Sequence, residues 1–430
     1  MSLYDKASLI MTPSGVKTDK LYSNKPYNGN GDFTFDRNLP TATRVNKDGY
    51  IETVAADVPR LNYPFIDGVV QDSPSLLLEP QSLNSQVYSE DLSSGFSNGA
   101  TSELSNVAIS PDSTLNADKL VESNTNARHE LYGATISTSG TTSVSFFAKA
   151  AGRRYISVFI SGDPSSGGAT FDVQDGLVSL TSGGADASIV NYGNGWYRCS
   201  LTSTKVGTQV YYCLRTNGDA VNIQTYQGDG TSGMYLWGFQ TEIAQSYPTS
   251  YIPTSGSAVT RSAETANGAG TSAEFNDSEG VLFAEIAALP ETGRIALNDG
   301  TTSNNVRFVY NSGINRIDAI LYNGSNQAVL SYVLPIEGSF NKIAFKYKAS
   351  DFSLYVDGFE VNSRTNGGTT FSVGTLSELD FDDGGGNTDF YGKTKQVAVF
   401  KTALTDSELE ALTSWTSFNE MATGQEYSIQ

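Results

Sequence analysis

The amino-acid sequence predicts an all-β protein with two β-sandwich domains that follow an extended N-terminal arm. Glycine contributes 42 of the 430 residues, and only 17% of the residues are charged. Clusters of Ser, Thr and Asn recur between short apolar runs. This composition is typical of short strands joined by polar turns rather than of long helices. A chain of this length is sufficient for two or three domains that each bury a core.

Residues 1–75 differ in pattern from the rest of the chain. Gly, Asn and Pro interrupt this segment at short intervals, and the apolar stretches between them are brief. Such a segment buries little apolar surface by itself. We therefore expect an extended arm or small β element that becomes ordered against a neighbouring subunit or a docking protein. A disordered terminus is the alternative.

Residues 76–262 are predicted to form the first sandwich. In TSVSFFAK the apolar Val144 and Phe146 alternate with small polar residues, which indicates a strand with one or both faces buried. No ten-residue helical pattern separates the strands, so a parallel α/β sheet is disfavoured. The runs with strand patterns are TTSVSFFAKA, RRYISVFIS, ATFDV, GWYRCSLTS, TQVYYCLRT and MYLWGFQTEI.

Residues 263–274 are predicted to be a linker, because they are small, polar and nearly free of large apolar side chains. Residues 275–430 are predicted to form the second sandwich. In NKIAFKYK the apolar Ile343, Phe345 and Tyr347 alternate with Lys and Ala, which predicts one buried and one solvated face.

Two local motifs in the second sandwich predict a turn and a helix. Asp357-Gly358 between LYV and FEV predicts a hairpin, because a primed turn requires positive φ at both central residues. In TDSELEALT, Thr405 can cap a short helix and Glu408 can return to the cap amide. Leu404 and Leu409 stand where a hydrophobic staple would place them.

The two cysteines, Cys199 and Cys213, are too few for a disulfide framework in a chain of this size. They lie in two apolar runs that predict a hairpin with its turn near Val206, which would place the thiols opposite each other. A disulfide and a pair of buried free thiols are the two alternatives, and free thiols are the commoner outcome.

Charge and hydropathy disfavour two classes of partner. The formal net charge of −19 opposes binding to a phosphate backbone or to anionic lipid. No apolar run approaches the roughly 18 to 20 residues that span a bilayer, and the start MSLYDKASLI lacks the basic-then-apolar order of a signal peptide. We therefore expect neither nucleic acid nor membrane as a partner.

Several segments resemble known families. ATRVNKDGYIETV, PRLNYPF and SPSLLLEPQSLN resemble the N-terminal part of phage head-spike or fibre proteins. QSLNSQVYSEDLSSGFSNG, ISPDSTLNADKL, NGNGWYRCSL and YLWGFQTEIAQSYPTSYIPTSGSAVTRSAET resemble the carbohydrate-binding-like jelly roll that follows in those proteins. Residues 274–415 resemble a laminin-G or concanavalin-like lectin domain, through FSLYVDGFEV and the closing KQVAVFKTALTDSELEAL.

These resemblances imply a structural protein of a phage virion rather than an enzyme. The expected form is a head or tail fibre or spike, the head being favoured, that projects from the particle and binds host-surface or environmental glycans. They also imply a homotrimer that docks on capsid or tail proteins through the N-terminal arm. The two cysteines fit folding in the reducing host cytoplasm. The alternatives are a polysaccharide-active enzyme or its carbohydrate-binding module, and a purely architectural capsid decoration.

No catalytic residue is expected. His129 is the only histidine, and no GxSxG nucleophile pattern lies near it. Glu378, Asp380 and Asp383 form E-x-D-x-x-D, which is similar to the E-x-D-x-x-E signature of retaining glycosidases with a concanavalin-like fold. The third position departs from that signature, because Asp383 is one methylene shorter than Glu and is followed by three glycines.

Two candidate binding sites remain. Calcium is bound by carboxylate and carbonyl oxygens on flexible loops. The stretch SELDFDDGGGNTDFYG, which we call the acidic loop, contains enough side-chain oxygens to bind one calcium ion. The alternative is that this loop is a solvated acidic end of a hairpin. Trp196 and Trp237 are candidates for stacking on a sugar, with core packing as the alternative. The candidate calcium ligands are Asp380, Asp382, Asp383, Asn387 and Asp389.

Overall fold

The computed structural model describes residues 1–133, 140–160, 167–204, 207–221 and 224–426. Over these residues the fold is nearly all β and contains two sandwiches, which confirms the predicted class. The described residues contain no helix that is both long and apolar enough to cross a membrane.

The N-terminal segment contains one short helix and eleven short strands. The helix is α1 (Leu3–Lys6), and the strands are β1 (Ala7–Met11), β2 (Val16–Lys17), β3 (Lys20–Leu21), β4 (Phe33–Asp36), β5 (Ala42–Val45), β6 (Ile51–Val54), β7 (Arg60–Asn62), β8 (Phe65–Ile66), β9 (Val69–Val70), β10 (Ser75–Leu78) and β11 (Ser82–Asn84).

The first sandwich consists of two six-stranded antiparallel sheets. Its strands are β12 (Phe96–Gly99), β13 (Thr101–Ile109), β14 (Leu115–Glu122), β15 (Asn126–Arg128), β16 (Glu130–Gly133), β17 (Thr142–Ala151), β18 (Tyr155–Ile160), β19 (Gly168–Asp172), β20 (Leu177–Ser182), β21 (Asp186–Asn191), β22 (Tyr197–Ser203), β23 (Val210–Arg215), β24 (Thr225–Gln227) and β25 (Gly233–Ile243). One sheet has the order β12-β16-β23-β18-β19-β20 and the other β13-β14-β25-β17-β22-β21, while β15 and β24 pair separately.

The second sandwich packs an eight-stranded sheet on a five-stranded sheet. The remaining elements are β26 (Val259–Arg261), β27 (Thr265–Asn267), β28 (Glu279–Ala288), β29 (Gly293–Asn298), β30 (Asn304–Asn311), a 3-10 helix (Ser312–Ile314), β31 (Arg316–Asn323), β32 (Asn326–Val333), β33 (Asn341–Lys348), β34 (Phe352–Val356), β35 (Phe359–Arg364), β36 (Glu378–Asp380), β37 (Gly392–Phe400), α2 (Asp406–Thr413) and α3 (Phe418–Gly424). The five-stranded sheet has the order β32-β31-β30-β29-β36.

The local motifs predicted from the sequence are present. Asp357 and Gly358 have φ angles of 47° and 91° and join β34 to β35, as the hairpin prediction requires. Thr405 caps α2, and both bonds of the capping box are formed. Leu404 and Leu409 are buried in one apolar cluster at the start of that helix. Each motif depends only on residues close in sequence, which is why these predictions are confirmed.

The solvated face predicted for β33 is largely covered. Ile343, Phe345 and Tyr347 are buried as expected, but Lys346 on the other face is also buried. The helix α2 packs over this face, and Asp406 at its first turn lies 3.6 Å from Lys346 Nζ. The alternation identified the core side correctly but carried no information about the helix that covers the opposite side.

The first 75 residues differ from the predicted extended arm. β1 and β10 both pair with β37, and β7 lies beyond β10, so this segment completes the eight-stranded sheet of the second sandwich. Leu9 and Met11 are wholly buried in its core. A brief apolar stretch cannot form a domain alone, but it is sufficient for one strand when an existing sheet accepts it. Docking of this segment on a particle stays a prediction.

The residues predicted to be a linker are also packed. β27 pairs with β4, and Ala266 and Ala269 are wholly buried. Small side chains here allow close approach of neighbouring backbone. Residues 263–274 therefore connect the sandwiches as a fixed part of the fold.

A cluster of five buried charged side chains lies where the N-terminal segment contacts the chain segments that lead into and out of the first sandwich. Glu264 accepts hydrogen bonds from Arg37 Nη1 and Arg60 Nε, both at 2.8 Å. Glu79 lies 2.8 Å from Arg60 Nη1 and 3.0 Å from Arg261 Nη1. Burial alone would raise the pKa of Glu79, but Arg261 and Arg60 hold it at about 2, so the carboxylate stays ionised. We call these residues the buried charge cluster.

The predicted cysteine hairpin is wrong. Cys199 lies on β22 and Cys213 on β23, and these strands belong to opposite sheets of the first sandwich. Val206, the expected turn, lies outside the described residues. Both thiols are buried and free, and burial raises their pKa well above the usual value. Two separated thiols of this kind are unreactive core side chains.

Glu264→Gln is expected to destabilise the protein by about 3–5 kcal/mol, because it leaves Arg37 and Arg60 buried without sufficient negative charge. Urea unfolding monitored by tryptophan fluorescence would measure the loss. Glu52→Gln is the matched control, since Glu52 pairs with Arg44 at the surface and its side chain is 38% exposed. A pair of this kind contributes at most about 1 kcal/mol. Equal effects of the two substitutions would contradict a central role for the cluster.

Candidate functional site

The outer face of the five-stranded sheet in the second sandwich is polar. Side chains alternate along a strand, so Ile295 and Leu297 of β29 enter the core while Arg294 and Asn298 lie on the opposite face. The same alternation holds on the neighbouring strands. We call this surface the polar face, and its residues include Arg294, Asn298, Asn305, Arg307, Asp318, Tyr322, Glu378 and Asp380.

Strand register arranges the polar face in rows that run across the sheet. Residues opposite each other on adjacent antiparallel strands have Cβ atoms about 4.5–5.5 Å apart, so members of one row are neighbours. One row consists of Glu378, Asn298, Asn305 and Tyr322, and the next consists of Asp380, Ala296, Arg307 and Ile320. Asn298, Asn305 and Asp380 in these rows are buried. The carboxylate of Glu378, the guanidinium of Arg307 and the ring of Tyr322 are half-buried and are the groups that reach solvent.

An acidic pocket of about 290 Å³ lies at one end of the polar face. Ala269 bridges to Leu379 and β27 pairs with β4, so the N-terminal segment and the 263–274 segment extend the surface beyond β36. The residues that line the pocket are Thr34, Asn267, Gly268, Glu378, Asp380, Asp382, Gly384 and Gly386. The site therefore depends on residues that are far apart in the sequence.

Burial controls the charge of the acidic pocket. It raises the pKa of Asp380 to about 6, against the hydrogen bonds donated by Asn298 Nδ2 at 2.7 Å and by the backbone amide of Gly268 at 2.5 Å, and Glu378 raises it further. Burial and then neighbouring carboxylates also raise the pKa of Glu378 and of Asp382. A carboxyl group with a pKa of about 6, such as Asp380, can donate a hydrogen bond when protonated as well as accept one when ionised.

The five predicted calcium ligands are not assembled as a metal site. Among the described residues, no group of three or more His, Cys, Asp or Glu side chains is placed to hold a metal ion. Asp382 accepts from Asn267 Nδ2 at 2.8 Å, and Asp389 accepts from Tyr391 at 3.1 Å. Both oxygens of Asp382 and one oxygen of Asp389 accept hydrogen bonds from the protein itself. The predicted ligands Asp380, Asp382, Asp383, Asn387 and Asp389 instead fold the acidic loop.

The E-x-D-x-x-D pattern also does not describe the spatial grouping. Asp383 is not among the residues that line the acidic pocket, and it lies 3.3 Å from Arg294. The acids that line the pocket are Glu378 and Asp380, which face the same side of β36, and Asp382, which follows that strand. The three acids of the pocket are therefore spaced E-x-D-x-D in the sequence.

The two tryptophans proposed for sugar contact are buried. Trp237 is 1% exposed and packs between Phe147 and Tyr251, so neither ring face is open. Trp196 is 3% exposed, and its Nε1 donates to the carbonyl of Ile109 at 2.9 Å. Its edge lines a groove of about 520 Å³ beside the first sandwich. Packing accounts for both residues in this structure, and glycan contact at Trp196 stays a prediction.

The sole histidine is a structural residue. His129 is 1% exposed, and its ring nitrogens lie 2.8 Å and 3.2 Å from the carbonyl oxygens of Ala100 and Tyr226. It lies on the first sandwich, away from the polar face.

Sequence reasoning missed the basic residues of the polar face. Arg307 stands between the core residues Val306 and Phe308, and this alternation could have placed it on the outer face. The sequence does not predict that Arg307 and Asp380 lie in one row, because this depends on the register of the three strands β29, β30 and β36.

A family model described as the concanavalin A-like lectin/glucanases superfamily matches residues 282–410. The second sandwich is a lectin-like domain. The match includes the strands β29 to β32 and β36, which carry the polar face. No curated protein matches this chain.

Three solved structures show distant similarity to this chain. The Ruminococcus gnavus IT-sialidase CBM40 bound to α2,3-sialyllactose is 15% identical, with 32% of this chain and 84% of that chain covered and a TM-score of 0.29. Domain 4 of the Geobacillus stearothermophilus arabinanase AbnA, in complex with arabinotriose, is 14% identical, with 35% and 73% covered and a TM-score of 0.25. Mouse laminin α1 domains LG4-5 are 10% identical, with 63% and 91% covered and a TM-score of 0.22.

Asp380→Asn is expected to reduce the pH dependence of the unfolding free energy. The pKa of Asp380 is about 6 in the folded state and 3.8 as a free side chain, so the unfolded chain loses its proton first. Stability therefore falls as pH rises from about 4 to about 6, by on the order of 2–3 kcal/mol. Urea unfolding at pH 4 and pH 7.5 would measure this. Asp48→Asn, at an exposed residue, is the control, and an unchanged profile in Asp380→Asn would refute the raised pKa.

Proposed function

We propose that this chain is a glycan-binding structural protein of a phage virion, a head or tail fibre or spike. The observation that carries the glycan-binding part is the polar face of a lectin-like sandwich. Sugar recognition requires donors and acceptors for hydroxyl groups beside an apolar or aromatic surface for the ring. Arg307 and Glu378 supply hydrogen-bonding groups, and the half-buried Tyr322 and Ile320 supply apolar surface in the same rows.

The virion part of the proposal is supported by the resemblance of residues 40–265 to phage head-spike and fibre proteins. The net charge of −19 favours a solvated surface protein and disfavours a role in packaging nucleic acid. In this proposal the N-terminal segment contacts capsid or tail proteins, the chain folds in the host cytoplasm, and three copies associate at the virion surface. A slender projection gains stability from burial between identical chains.

Glycoside hydrolysis is the second candidate, because three acids with raised pKa share the acidic pocket. Retaining chemistry requires one carboxylate as nucleophile and one protonated acid, with the two pKa values separated. Glu378 and Asp380 are the candidates for these roles. Nothing beyond this cluster of acids favours the enzyme, and we propose binding without hydrolysis.

Glycan binding and hydrolysis can be separated in one experiment. The protein is expected to bind members of a broad panel of bacterial-surface oligosaccharides and to release no reducing ends. Tyr322→Ala should weaken binding about fivefold to tenfold through loss of ring contact. Tyr27→Ala, at a residue that is 84% exposed in the N-terminal segment, is the matched control. Release that Glu378→Gln abolishes would establish the enzyme instead, and an absence of any binding would favour a purely architectural role.

The virion assignment is tested by location and oligomeric state. Gold-labelled antibody against the chain is expected to decorate intact particles in electron micrographs, at the head or the tail. Light scattering of the purified chain is expected to give three times its 45.9 kDa mass. Unlabelled particles would refute the virion role, and a stable monomer at micromolar concentration would refute the trimer.

A further inference from the structure

Among the described residues, Arg307 is a cation that forms no ion pair, in a strongly acidic chain. The sequence has 46 Asp and Glu residues against 27 Lys and Arg residues. On the same face, Arg294 lies 3.3 Å from Asp383 and Arg316 lies 2.8 Å from Asp318. Within the part of the chain that the structure describes, Arg307 forms no ion pair and makes a single hydrogen bond, to Asn305 Oδ1 at 2.8 Å.

The guanidinium of Arg307 is held in place although no carboxylate of the described residues lies within ion-pair distance, and the nearby charge of Asp383 only partly opposes the fall in its pKa. The side chain is half-buried, and its centre lies 5.5 Å from the ring of Tyr322. Its Nε is buried and donates to no described group. Burial, followed by the like charge of Arg294, lowers the pKa of Arg307. The fold therefore maintains a costly, fixed cation, and an anion bound there would recover part of that cost.

The surroundings of Arg307 suit a sugar rather than a small inorganic ion. Its direct neighbours across the sheet are Ala296 and Ile320. Ala296 is wholly buried, so the accessible surface beside the guanidinium lies on the side of Ile320. Ile320 and Val329, the latter 44% exposed, continue the row as apolar surface. A pyranose ring can lie on such a surface while its substituent reaches the cation.

We infer that the glycan bound at the polar face carries a carboxylate group and that Arg307 binds it. This inference rests on the proposed glycan-binding function and names its ligand class. A guanidinium matches the two oxygens of a carboxylate with two parallel hydrogen bonds, which neutral hydroxyl groups cannot reproduce. The overall charge of −19 opposes densely charged polyanions, so the ligand is a glycan with separated acidic sugars.

The test compares uronic-acid oligosaccharides with their own methyl esters, which keep the sugar ring and remove the charge. Isothermal titration calorimetry at low salt is expected to show the wild-type protein binding the acids at least about tenfold more tightly than the esters. Arg307→Gln should remove this preference. Arg307→Lys should retain part of it, because the charge remains without the planar fork. Arg128→Gln, at a residue whose side chain is 58% exposed on the first sandwich, is the control with the same change of charge.

The comparison of acid with ester uses the wild-type protein, so it stands even where a variant fails to fold. Equal binding of acid and ester, or a preference that survives Arg307→Gln, would overturn the inference and leave the proposed glycan binding intact. Preference for sulfated oligosaccharides over uronates would overturn the assignment of a carboxylate. Binding of neither acidic nor neutral glycans would refute the proposed function and the inference together.

Discussion

The buried charge cluster is the constraint on which the arrangement of the two sandwiches depends. Its five members come from residues 37, 60, 79, 261 and 264, and all are buried. None can be buried alone, because an unpaired charge in a low-dielectric interior costs several kcal/mol. The ion pairs form only when the N-terminal segment and both connections to the first sandwich have their final positions. The cluster thus fixes the geometry that also brings Thr34 and Asn267 to the acidic pocket.

The sequence was informative wherever structure is determined over a few residues. Strand alternation located the sandwich strands, and the capping box located α2, because these patterns reflect neighbours along the chain. The pairing of β1 with β37 joins residues almost 400 positions apart, and no local pattern encodes it. The cysteine hairpin failed for the same reason: β22 and β23 follow each other in sequence but belong to opposite sheets.

The candidate site was predictable only in part. The acidic stretch was recognised as the chemically distinctive segment, and Glu378 and Asp380 do line a pocket. Its carboxylates are not preassembled as a metal site, because backbone and amide groups donate hydrogen bonds to Asp380 and Asp382, and calcium binding there stays a prediction. Arg307 is distinctive because it forms no ion pair among the described residues, and a sequence does not show which ion pairs a charged residue fails to form. The charge balance of the whole chain shows why its isolation is unusual.

The strand pairing of β11 with β26 has an evolutionary consequence. These strands carry the chain into the first sandwich at Ser82–Asn84 and out of it at Val259–Arg261, and they lie side by side. The eight-stranded sheet contains strands that precede the first sandwich in sequence and strands that follow it. The first sandwich is therefore a domain inserted into the second one, and its two chain ends lie next to each other. Domain insertion is best tolerated when the two ends are adjacent. Recombination at the paired strands β11 and β26 would exchange the first sandwich and leave the sheets of the second sandwich complete.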